Sequence, residues 1–234
     1  MLDSKWHVQV GGTEASLRIF EEEFLTDGLE VVRIDGGFFV GGRRLDIAKN
    51  PEEAVACCDE ILRTGNTMLQ YYRHDYTDVI TTTVVIEHHP DGRRERRIAY
   101  RRTEAVSSAG SESYGRFAQT PSICVQMIKV AEQYRDFFWA VHVYNENRRS
   151  FINLYISFEY LKRCLDSKPK KAISYIIARG YASDSELDQF HDTANSVHRH
   201  AKRPISHPEM SSPDAALLMM RLIELIASDL YRRM

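Results

Sequence analysis

No stretch of this chain approaches the roughly 20 consecutive apolar residues that a membrane-spanning helix requires. The opening run Met1-Leu2-Asp3-Ser4-Lys5-Trp6 lacks the basic segment and apolar core of a secretory leader, so none is expected. Neither G-x-G-x-x-G nor G-x-x-x-x-G-K-[ST] occurs, which removes the usual signatures of a nucleotide fold. Cysteine is scarce: Cys57, Cys58, Cys124 and Cys164 are the only four, and no C-x-x-C spacing joins them. Reduced thiols in a cytoplasmic protein are the expectation, with no cofactor. A strong charge of one sign is missing as well. The formal net charge of −2 argues against a surface that coats nucleic acid throughout, although local basic clusters still set local potentials.

What is present is an ordinary globular composition. With 234 residues, 43% of them apolar and 27% charged, the chain can bury a substantial core. Its first half mixes strands and helices. Trp6 to Val10 reads as a strand, and Thr13 can cap a helix bearing Leu17, Phe20 and Phe24. Asp35-Gly36-Gly37 between two apolar runs is a hairpin signal. Asn50-Pro51-Glu52-Glu53 is a helix start, with an N-cap acceptor, a proline pre-set for the first turn and acid at the positive end of the dipole. Val79 to Ile86, the turn Pro90-Asp91-Gly92 and the returning run Arg93 to Val106 predict a second hairpin. The small polar stretch Ser107 to Ser113 predicts a linker.

The second half reads as all-helical. One helix is expected from about Pro121 to Tyr144, a second from Phe151, and a third that ends at Gly180. A fourth is opened by the capping box Ser183-Asp184-Ser185-Glu186, and a last one by Ser212-Pro213-Asp214. The fold class is thus an α+β N-terminal domain, residues 1–108, followed by an all-α domain of about five helices, residues 116–234.

Two clusters are candidate sites. On the fourth helix, His191, Asn195 and His198 fall at i, i+4 and i+7, beside an apolar stripe of Leu187, Phe190, Ala194, Val197 and Ala201. Arg199 and Arg203 lie on the neighbouring strip. These polar groups suit a groove in which the asparagine fixes hydrogen bonds and the arginines hold phosphate or carboxylate. A metal is not expected, because the i+4 partner of His191 is Asn195, a poor zinc ligand. His88-His89 reads as an exposed strand end. The second cluster is the run Arg93, Arg94, Arg96, Arg97, Arg101 and Arg102. Strand alternation places Arg94 and Arg96 on one face with Tyr100, a combination suited to phosphate and base. An edge strand that uses charge to avoid pairing with other chains explains the same residues.

The helix order of residues 116–234, with the segment Thr193-Ala194-Asn195-Ser196-Val197-His198-Arg199-His200, resembles the HEPN superfamily of helical domains. Active HEPN ribonucleases carry an arginine followed, after four to six residues, by a histidine. No such pair occurs within residues 183–210, whereas Arg135 and His142 match it, with Asp136 after the arginine as the family often has. The resemblance implies a non-catalytic HEPN-like module that binds a protein partner or a nucleic acid such as RNA, often as a homodimer. The alternative is a metal-independent ribonuclease in which histidines do acid–base work and Arg135 or Arg199 steadies the phosphorane.

Overall fold

The computed structural model describes residues 4–23, 28–73, 76–99, 122–166, 168–195 and 208–234. The chain divides into two compact units, Met1–Val125 and Gln126–Met234. The stretch expected to be a linker, 107–113, lies outside the described residues.

The first unit is built on a five-stranded antiparallel sheet: β1 (Trp6–Gly11), β2 (Glu30–Ile34), β3 (Gly37–Gly41), β4 (Ile80–His88) and β5 (Arg94–Ile98), in the order β2-β3-β1-β4-β5. Asp35 and Gly36 both take positive φ, 50° and 79°, as a two-residue hairpin turn between β2 and β3 demands. Helices α1 (Glu14–Glu23), α2 (Arg43–Asp46) and α3 (Pro51–Tyr72) complete the unit. Thr13 caps α1 as expected, its hydroxyl accepting from the Ser16 amide at 3.2 Å. Asn50 caps α3, accepting from the Glu53 amide at 2.8 Å.

α3 packs across β1 and β4, where Val8, Val10 and Val85 are buried beneath it. Thr81 of β4 donates to Asp59 of α3. The Asn66 carboxamide donates to the Val79 carbonyl and accepts from the Val79 amide and the Tyr76 hydroxyl, tying the end of α3 to the entry of β4. At the entry of β1, the Ser4 hydroxyl accepts from the Gly42 amide at 2.8 Å and donates to Asp46 at 2.8 Å. Gly42 has φ 126°, and a Cβ there would lie 2.0 Å from the Gly28 carbonyl oxygen.

Helical elements make up the second unit: the larger part of α4 (Ile123–Gln133), then α5 (Arg135–Glu146), α6 (Phe151–Leu165), α7 (Pro169–Ala178), α8 (Asp184–Thr193) and α9 (Ser212–Arg233). One expected helix is therefore two. The chain leaves helical geometry at Tyr134 (φ −115°, ψ 94°), with no proline or glycine to mark the break. Other starts follow the sequence closely. The Ser183–Glu186 capping box is formed, and α9 is capped by Ser211, one residue earlier than the sequence suggests.

α5 and α6 form an antiparallel pair. The Ser157 hydroxyl donates to the Ala140 carbonyl at 2.8 Å, and the Asn153 carboxamide to the Val143 carbonyl at 3.4 Å. Phe137, Val141, Leu154, Phe158 and Leu161 are buried in this unit's core. α9 is tied to α8 by Arg221–Glu186 at 2.8 Å, and to α7 by Tyr175, whose hydroxyl donates to the buried Asp229.

Candidate functional site

The polar strip of the fourth expected helix begins in α8. Regular α-helix ends at Thr193, and Ala194 and Asn195 form a π-type turn. His191 turns toward α6. Its ring lies 5.3 Å from that of Phe158 and 5.7 Å from that of Tyr155, edge-on to both. Burial, and then the nearby Lys162 ammonium, push the His191 pKa down, so the neutral imidazole is favoured. Its Nε2 is shielded from solvent and has no hydrogen-bond partner among the described residues. The half-buried Asn195 ends the described part of the strip; His198, Arg199 and Arg203 lie outside it. Thr193 fixes the end of α8, its hydroxyl accepting from the Met210 amide at 2.9 Å.

The arginine run forms edge strand β5. Arg94, Arg96 and Arg97 are exposed, and Tyr100 lies outside the described residues. Alternation separates the arginines. Arg97 bonds Glu87 at 2.7 Å and Glu95 at 3.0 Å, whereas Arg94 and Arg96 have no carboxylate partner among the described residues. On the turn side of the same strand pair, Glu87, His89 and Glu95 each bring one ligand atom within 4.8 Å of the others.

An open concavity of the helical unit lies elsewhere, at the end of the α5–α6 pair where α5 begins and α6 finishes. It measures about 500 Å³ and is lined by Gln133, Tyr134, Arg135, Asp136, Trp139, Tyr160, Arg163 and Cys164. The break at Tyr134 places the Arg135 side chain at this mouth. Arg135 has no ion-pair partner among the described residues, and Arg163 lies over the Tyr160 ring at 5.2 Å. Trp139 stands edge-on to His142 at 5.4 Å. That places Arg135, Trp139 and His142 on one strip of α5 at i, i+4 and i+7. The Cys164 thiol donates to the Tyr160 carbonyl, and burial raises its pKa far enough to keep it protonated, so it offers no nucleophile. Two guanidinium groups, an indole and phenol rings around one open groove suit a ligand with phosphates and flat rings.

Sequence reasoning found Arg135 through the arginine–histidine spacing but missed Trp139, Tyr160 and Arg163 as its companions. No family model, no curated protein and no solved structure matches this chain.

Proposed function

We propose that the helical unit is a non-catalytic module that binds single-stranded nucleic acid in the α5–α6 groove. Arg135 and Arg163 hold phosphates there, and Trp139 and Tyr160 offer faces to bases. The observation that carries this reading is the convergence of two arginines and several aromatic rings on a groove whose lining, among the described residues, includes one carboxylate, Asp136. Stacking on aromatic side chains tolerates any base, and guanidinium contacts follow the backbone, so the expected specificity is for single strands rather than for a sequence. Arg94 and Arg96, without carboxylate partners among the described residues, offer a second surface for phosphate on the sheet unit. Asn195, together with His198, Arg199 and Arg203 outside the described residues, is a candidate contact for a protein partner or a second copy of the chain.

A second reading is a metal-independent ribonuclease, as the HEPN resemblance implies. It is favoured by the placement of Arg135 and His142 on one strip of α5, where the His142 side chain is 41% exposed and lies 3.6 Å from Glu146. One experiment addresses both. Labelled oligouridylate is mixed with purified protein in EDTA, anisotropy reads binding, and a gel reads cleavage. The module reading expects salt-dependent binding of intact RNA that falls about fivefold to a hundredfold in Trp139→Ala, since a stacked base contributes about 1–3 kcal/mol. Binding indifferent to Trp139→Ala overturns the groove assignment. Cleavage abolished by His142→Ala replaces the module with the enzyme.

A further inference from the structure

We infer that the turn end of the β4–β5 hairpin is a binding site for a divalent transition-metal ion of the zinc class, with Glu87, His89 and Glu95 as ligands.

Three features of the strand pair bring these side chains together. Glu87 and His89 are two residues apart, so the pleat projects both to one face. Glu95 is the direct cross-strand partner of Glu87. His89 extends the ladder past the end of β4, its amide donating to the Arg93 carbonyl at 2.9 Å, which keeps its side chain in register with the carboxylates. The His89 Nε2 lies 3.3 Å from Glu95 Oε2, is shielded from solvent, and makes no aligned hydrogen bond. A ring nitrogen of His89 lies within 4.8 Å of an oxygen of each carboxylate.

Like charges directly opposite one another on a sheet are destabilising, so the Glu87–Glu95 pair calls for a cation. Arg97 supplies one, through Nε to Glu87 at 2.7 Å and a terminal nitrogen to Glu95 at 3.0 Å. Arg97 and His89 both approach Glu95 through Oε2, and Arg97 meets Glu87 through its Oε2, which leaves Oε1 of each carboxylate outside these pairs. Arg97 is thus placed as the outer partner that orients ligating carboxylates, an arrangement common around protein metal sites. One imidazole and two carboxylates suit zinc and neighbouring first-row ions, and three protein ligands leave a position for water.

The test uses the untagged full chain and Co²⁺, then Zn²⁺ in competition. Expected is one equivalent of Co²⁺ bound, with visible d–d bands of a nitrogen–oxygen site and no thiolate-to-cobalt charge transfer. Zn²⁺ displaces it. His89→Ala and Glu95→Gln each weaken binding at least tenfold while circular dichroism confirms an intact fold, and Arg97→Lys retains binding within about tenfold. No Co²⁺ signal in wild-type protein, a spectrum dominated by thiolate, or affinity unchanged in His89→Ala overturns the assignment. Should His89→Ala fail to fold, His89→Gln supplies the same comparison, because the amide keeps the volume without the imidazole donor.

Discussion

The β4–β5 strand pair and the α5–α6 helix pair are both antiparallel and both carry arginines, and Arg97 of the strands is used differently from Arg135 and Arg163 of the helices. On the strands, register sets Glu87 against Glu95 and Arg97 beside both, so this guanidinium is consumed by its own hairpin. On the helices, Arg135 and Arg163 border a groove with aromatic rings and a single carboxylate. Equal formal charge therefore has unequal availability. What separates the two is the period of the element. A period of two across a ladder makes each residue meet a fixed opposite number, whereas a helix end leaves side chains facing open space.

Three measurements test this contrast. The largest effect is expected from removing packing in the core of the helical unit. Leu154, fully buried in α6, should cost about 2–5 kcal/mol of unfolding free energy as Leu154→Ala. Urea denaturation reads this directly, and a loss below about 1 kcal/mol would contradict the packing described. Next comes the availability of charge itself. Arg135→Ala should lower the slope of log affinity for oligouridylate against log salt by about 0.7, the value for one phosphate contact on a single strand. Arg97→Ala should leave that slope unchanged, and equal changes in both would erase the distinction between the pairs.

The smallest effect calibrates how weak a neutralised surface pair is. Glu186 is held down at about 2, by the Ser183 backbone first and then by Arg221, below the 4.5 of an ordinary glutamate. A carboxylate with a depressed folded pKa adds stability that is fully present above its unfolded pKa and is lost as pH falls through the folded value. Stability should therefore decline from about pH 4.5 toward pH 2. The share removed by Glu186→Gln should stay under about 1 kcal/mol, because the side chain is 40% exposed and screened by solvent. Acid titration of the melting temperature, wild type against variant, measures it.

Much of the fold was legible because its signals are local. Asn50-Pro51, Ser183 with Glu186, and Asp35-Gly36 each satisfy backbone groups or set φ within a few residues, and each does so in the structure. The division of residues 121–144 into α4 and α5 was not legible. Tyr134 is neither proline nor glycine, and the apolar spacing runs on through it. The groove was hidden for a related reason: Trp139 and Tyr160 belong to different helices, and only the α5–α6 pairing joins them. Likewise Glu95 meets His89 through strand register, which the string Arg94-Glu95-Arg96 does not disclose. For His191, periodicity placed a polar strip beside an apolar stripe, and the rotation of α8 against α6 then decided that this ring packs among aromatics.

Gly42 has a reach beyond its own position. Its crowding against the Gly28 carbonyl leaves no room for a side chain, and its amide is one of the groups that anchor Ser4 where β1 begins. Because β1 runs down the middle of the sheet, damage at this single point would not peel away a border. It would unseat the strand on which both halves of the sheet lean.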